Sequence, residues 1–188
     1  MLKPTLQIII GSTRPGRVGK PVADWFHAHA AKHGGFEVDL VDLAEVNLPL
    51  LDEPRHPRFA EYEHEHTKAW SRRISAGDAY VFVVPEYNHG YNAAMKNAID
   101  YLNHEWTDKP VGFVSYGGIA AGTRAVEMLI QVVSVLGMVP MPIQVNIPLI
   151  GERITAEGKF TANEALDNSA AALLDQLARW VARLGSTR

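Results

Sequence analysis

The stretch LQIIIGSTRPGRVGK, Leu6–Lys20, decides the fold. Leu6–Ile10 is a short, nearly all-apolar run, as expected of a strand covered on both faces. It stops at Gly11. Three glycines, two hydroxyl residues and a proline follow before the chain becomes amphipathic. From Lys20 to Lys32, Val22, Trp25, Phe26 and Ala30 fall on one stripe at helical spacing. Pro21 stands in the first turn, where a missing N–H is tolerated. Strand, glycine-rich loop and helix form the opening unit of a parallel α/β sheet.

The same alternation continues along the chain. Glu37–Asp42 (EVDLVD) alternates polar and apolar residues as a second strand, and Ala79–Val84 (AYVFVV) reads as a fully covered third. Val111–Ser115 and Met138–Val145 are the fourth and fifth. Pro140 and Pro142 interrupt the fifth and point to a sheet edge. Helical patterns lie at Tyr62–Ala76, Ala93–Leu102, Thr123–Leu136 and Asn163–Leu184. Five such units in 188 residues predict one domain over 1–188, a three-layer doubly wound α/β fold on a five-stranded parallel sheet. Pattern alone leaves the strand order open. Asn47–Arg58, with three prolines, reads as an irregular loop. Thr123–Leu136 is apolar nearly all round, so it is expected to be buried on more than one side, against another chain or under the C-terminal helix.

Bulk properties exclude several classes. The net charge of −3 gives no general pull towards nucleic acid or anionic lipid. With no cysteine, disulfides, thiolate nucleophiles and cysteine-based metal sites are ruled out, and a reducing compartment fits. No run of about 18 apolar residues predicts a membrane span, and the N-terminal apolar run lacks a signal-peptide pattern. The expected location is the cytoplasm. His29 and His33 stand four apart, a metal-compatible spacing, yet no third ligand accompanies them. They are expected to face solvent; His64 and His66, two apart, cannot share a helix face, and no metal site is predicted.

Three loops carry chemistry. Gly11–Gly19 follows strand one and opens helix one, where free amides and a partial positive charge attract anions. Ser12 and Thr13 add hydroxyls, and Arg14 and Arg17 add planar cations suited to phosphate oxygens. A turn that merely starts a helix needs one or two special residues; this combination describes a monophosphate cradle. Neither G-x-G-x-x-G nor G-x-x-x-x-G-K-[ST] is present, which disfavours a Rossmann-bound dinucleotide and ATP or GTP. The second loop, Pro85–Asn92 (PEYNHGYN), offers flat faces from Tyr87 and Tyr91, polar edges from Asn88 and His89, and close backbone approach at Gly90. A planar, polar-edged heterocycle suits it. In the third, Ser115-Tyr116-Gly117-Gly118, paired glycines expose backbone amides. All three fall at the carboxyl edge of the sheet, where open α/β folds bind ligands.

On GSTRPGR (Gly11–Arg17), PEYNHGYNAAMKNAIDYL (Pro85–Leu102) and SYGG (Ser115–Gly118), the sequence resembles the NADPH-dependent FMN reductase family, a flavodoxin-like group with quinone and azo-dye reductases. The resemblance implies sheet order 2-1-3-4-5. It implies that FMN phosphate is held by Ser12, Arg14, Arg17, Val18 and Gly19, with Thr13 beside them. Pro85, Glu86, Tyr87, Asn88 and the backbone near His89 would line the isoalloxazine ring, and the Tyr116–Gly118 turn, next to Ser115, its pyrimidine edge. It further implies NADPH or NADH as electron donor, a small-molecule acceptor taken in turn over one flavin face, and a homodimer or homotetramer packed through helices 93–102 and 123–136. The cofactor carries the hard chemistry, so no side chain is nominated as catalytic acid, base or nucleophile. Two other functions fit the residues less well: a flavodoxin-type electron carrier without nicotinamide activity, and a phosphate-ligand binding module without redox activity. Arg124 is a candidate for the NADPH 2′-phosphate, a partner subunit or a surface ion pair.

Overall fold

β1 (Thr5–Ile10) lies inside a parallel sheet, between β2 (Glu37–Asp42) and β3 (Ala79–Pro85). β4 (Pro110–Tyr116) continues the sheet beyond β3, with Phe82 opposite Phe113. The order is β2-β1-β3-β4-β5, the flavodoxin order. The computed structural model describes residues 3–185; residues 1–2 and 186–188, at the ends of the expected domain, lie outside the described residues.

The central strands are apolar for a physical reason. Alternate side chains of each strand serve opposite cores. Ile8, Ile10, Val81 and Val83 pack on one face against Val22, Phe26 and Ala30 of α1 (Gly19–His33) and Leu173 and Leu177 of α6 (Glu164–Gly185). Ile9, Phe82, Val84 and Phe113 pack on the other. There they meet Trp70 and Ile74 of α3 (Glu65–Ser75), Met95 and Ile99 of α4 (Ala93–Asp100), and Leu129 and Val133 of α5 (Thr123–Val135). A strand buried twice cannot alternate in polarity, so β3 and β4 are legible as unbroken apolar runs.

Two expectations need correction. The single fifth strand over Met138–Val145 is two short ones, β5 (Val139–Pro140) beside Pro110–Val111 and β6 (Val145–Ile147) beside Val114–Tyr116. Pro140 and Pro142 have no N–H to give the ladder; the amide of Met141 between them still reaches Val111 O at 2.8 Å. Beyond Pro142 the pairing lapses until Val145. The C-terminal helix does not cover α5, because α6 packs with α1 on the opposite face of the sheet. Helix α5 buries one stripe and leaves Met128 45% and Val135 83% exposed. A one-turn helix, α2 (Leu43–Val46), was not apparent in the sequence. Asp42 caps it by accepting from Ala44 N at 3.0 Å.

Gly112 on β4 sets how close α6 can come. A Cβ there would stand 2.7 Å from Leu173 Cδ1. Gly112→Ala is expected to cost about 1–3 kcal/mol by overpacking, and Leu173→Ala about 2–5 kcal/mol by cavity formation. Urea unfolding of the double variant should give clearly less than the sum of the two losses, because the second change makes room for the first. Strict additivity would contradict this packing.

Candidate functional site

The carboxyl ends of β1, β3 and β4 bring the three loops to one rim. Gly11 stays tied to the sheet through Gly11 N donating to Val83 O at 2.9 Å. The chain then rises through Thr13, Arg14, Pro15 and Gly16, all exposed, and enters α1 at Gly19. The N-cap residue of that helix, Val18, offers no side-chain hydrogen bond to the first turn. Among the described residues, the amides of Thr13, Arg14, Gly16 and Val18 meet no acceptor, while Arg17 N donates to Arg14 O at 3.1 Å. A loop of unpaired donors at a helix start suits an anion.

The two arginines do different work. Arg17 is turned inward, with Nη1 and Nη2 on Asp42 Oδ1 and Oδ2 at 2.7 and 2.6 Å. Nη1 also donates to Ser12 O at 2.7 Å. This fork binds the loop to the end of β2, with side chains only 17% and 6% exposed. Arg17 is therefore a brace of the loop, which corrects the expectation that its guanidinium is free for phosphate. Arg14 is exposed at the loop. Asp42 was missed because it closes the alternating EVDLVD pattern and looked like an ordinary strand residue.

The second loop is a miniature hairpin. Tyr87 and Gly90 exchange backbone bonds of 2.9 and 3.0 Å, and the central residues Asn88 and His89 have φ of 50° and 68°. Two non-glycine residues in the left-handed region store strain at a loop tip, a pattern concentrated at ligand sites. Pro85 is buried at the end of β3, and Glu86 N donates to Tyr116 O at 3.1 Å. Glu86 Oε1 accepts from Arg124 Nη1 at 2.6 Å. Arg124 thus takes the ion-pair option, with this loop as its partner. Tyr87 OH and Ser12 Oγ lie 2.9 Å apart, and Asn92 Nδ2 donates to Gly11 O at 2.6 Å, so this loop is stitched to the first. Asn92 closes the PEYNHGYN motif, and its place just before α4 is the sequence signal for this role.

In the third loop the glycines and their neighbours face outward. The carbonyls of Gly117 and Gly118 accept from Ile150 N and Leu149 N, both at 3.0 Å. The amides of Gly118, Ile119 and Ala120 meet no acceptor among the described residues. Ser115 is different: it is wholly buried, and its hydroxyl is engaged by Ala121 O at 2.8 Å and the Asn146 amide at 2.9 Å. It braces the loop from below and does not face the rim. The Tyr116 side chain also leaves the rim and joins the core on the α1 side. Burial pushes its phenol above the ordinary tyrosine range.

The expected irregular loop, Asn47–Arg58, is held firmly. Asn97 Nδ2 donates to Pro49 O at 2.7 Å, Leu51 N donates to Asn97 Oδ1 at 2.9 Å, and Tyr101 OH donates to Asp52 Oδ1 at 2.9 Å. His66 Nε2 also reaches Asp52, at 3.0 Å. A cavity of about 420 Å³ opens between this loop, α2 and α4, lined by Thr13, Leu43, Leu48, Leu50, Ala93 and Asn97 among others. His29 and His33 pair with Asp167 and Asp175 of α6, at 2.9 and 3.2 Å. Among the described residues, no cluster of three or more His, Asp or Glu side chains is placed to hold a metal.

The sequence profile of the NADPH-dependent FMN reductase family matches residues 4–151. An NAD(P)H-dependent FMN reductase of Schizosaccharomyces pombe is 40% identical over 68% of this chain and 64% of its own length, so the chain spans under two thirds of that relative. An NAD(P)H-dependent FMN reductase of Saccharomyces cerevisiae is 38% identical over 76% of this chain and 83% of its own. The solved flavoenzyme NAD(P)H:(acceptor) oxidoreductase of Paracoccus denitrificans superposes with a TM-score of 0.74 at 23% identity, over 96% of this chain and 98% of that one. That likeness speaks for the fold.

The Arg17–Asp42 fork yields a test of its own. Arg17→Ala strands a nearly buried carboxylate and is expected to cost about 2–3 kcal/mol, somewhat below the loss for a fully buried pair. A double-mutant cycle with Asp42→Ala, read by urea unfolding, should give a coupling of about 1–3 kcal/mol. A coupling near zero would remove the brace.

Proposed function

The chain belongs to the NADPH-dependent FMN reductase family, and on that premise we propose that it is an FMN-dependent NAD(P)H oxidoreductase. The carrying observation is the loop of unaccepted amides beneath the exposed Arg14. Such a cradle fits a phosphate monoester, and two further loops on the same rim offer a flat phenol and outward amides.

In this reading Ser12, Thr13, Arg14 and the amides up to Gly19 hold the phosphate, and Arg17 and Val18 shape the loop around it. Tyr87, Asn88 and His89 form one wall for the isoalloxazine, seated on Pro85 and Glu86. The amides from Gly118 to Ala120 meet its pyrimidine edge, where they favour negative charge. FMN held there would supply the hydride chemistry between NADPH or NADH and an acceptor such as a quinone, an azo compound, a metal oxyanion or free flavin. The residues' tasks are positioning and partial exclusion of water; none is nominated as acid, base or nucleophile. Donor and acceptor share one open face and take turns, giving ping-pong kinetics.

The enzyme works as a homodimer or homotetramer joined through α4 and α5. Support comes from the exposed Met128 and Val135 and from a groove of about 330 Å³ between these helices, lined by Lys96, Asp100, Gln131, Val132, Val135 and Leu136. No helix among the described residues is long and apolar enough to cross a membrane. A cysteine-free chain using NAD(P)H fits the cytoplasm.

Mixing the FMN-loaded protein with excess NADPH without oxygen should bleach the flavin within seconds, and a quinone or azo dye should restore the colour. A flavin that stays oxidised contradicts the enzyme and leaves the electron carrier. Light scattering at micromolar concentration should give a dimer or tetramer that Val135→Asp shifts towards monomer; a monomeric parent protein contradicts the assembly.

A further inference from the structure

The phenol of Tyr116 is buried, with the residue 4% exposed, and among the described residues no group meets it at full hydrogen-bond length and angle, Ser12 standing just short of one. An orphan buried hydroxyl is costly, about 1–3 kcal/mol. Its place is informative. Tyr116 ends β4, yet its ring reaches below the sheet rim to the start of α1. A Cβ on Gly19 would lie 2.6 Å from its hydroxyl, so the bare backbone at Gly19 is what lets the phenol in. Ser12 is the polar side chain that acts on that oxygen at close range, while Tyr87, Arg17 and Arg14 of the same two loops act on it through space. With its titration pushed upward by burial, the phenol keeps its proton and can only be satisfied by donating or by accepting from a neighbour.

Ser12 is the neighbour that can use it. A serine hydroxyl has one proton and two lone pairs. Tyr87 OH already lies 2.9 Å from Ser12 Oγ. Were both phenols to donate to Ser12, its lone pairs would be filled and its single proton would be turned outward.

We propose that Tyr116 is a positioning residue for the phosphate ester: from beneath the loop it donates to Ser12 Oγ and so commits the Ser12 proton to an anionic oxygen. The inference rests on the FMN reading of this site and adds a selectivity to it. A ligand that only accepts, such as a phosphate, gains from a committed donor. The terminal hydroxyl of riboflavin, which can donate as readily as accept, gains nothing. The orphan in the ligand-free chain is then relieved on binding, which couples a core residue to the choice of flavin.

The test compares FMN and riboflavin, by quenching of flavin fluorescence, on the full chain freed of flavin. Tyr116→Phe should weaken FMN roughly tenfold, the worth of one net hydrogen bond to an ion-binding group, and leave riboflavin within about twofold. The unfolding temperature of the ligand-free variant should not fall, since the change removes an unsatisfied hydroxyl and keeps the ring. Arg14→Ala serves as the reference for the site, weakening FMN but not riboflavin. Equal loss for both flavins, unchanged FMN affinity, or a lowered unfolding temperature with both flavins weakened overturns the role of Tyr116. Should Arg14→Ala also leave the preference for FMN intact, the phosphate does not lie in this loop and the reading of the site fails with it.

Discussion

The fork between Arg17 and Asp42 is the contact on which the site depends. A nine-residue connection rich in glycine, Gly11–Gly19, has little reason to hold one shape. Arg17 ties it to the end of β2 through two parallel bonds and to its own Ser12 carbonyl through a third. Asp42 in turn opens α2, so a single carboxylate fixes the loop and the next helical turn together. With the backbone held, the amides of Thr13, Arg14, Gly16 and Val18 stay without an acceptor among the described residues. Preorganised donors are worth more than flexible ones, since no reorganisation is required when charge arrives.

The other two loops reach the same rim by different means. The Tyr87–Gly90 hairpin is locked by its own backbone and by Asn92 and Tyr87 bonding to the first loop. The loop after β4 is locked from below by Ser115 and from the side by Leu149 and Ile150. Their stiffness comes from the sheet, whose central strands are sealed on both faces. Function is carried by loops on a rigid frame.

Much of this was legible in the residues. The apolar runs of β3 and β4 and the stripe of α1 follow from burial geometry, and the three loop motifs follow from where those runs stop. What stayed hidden involved partners distant in sequence. Arg17 reads as a phosphate ligand until Asp42, twenty-five positions later, is seen beside it. Ser115 and Tyr116 stand in an exposed-looking motif, yet strand pleat sends one hydroxyl into a buried bond and the other ring into the core. Helix α5 looked apolar all round because its exposed Met128 and Val135 cannot be told from core residues by type. Two prolines signalled the sheet edge, but not that the strand would split around them.

The account stands or falls on where the flavin's ester sits. A crystal structure of the FMN complex should show the phosphate on the Gly11–Gly19 loop, with its oxygens met by the loop amides, Ser12 and Arg14 while Arg17 stays on Asp42. Phosphate density elsewhere on the chain, or a flavin held with this loop untouched, would contradict it.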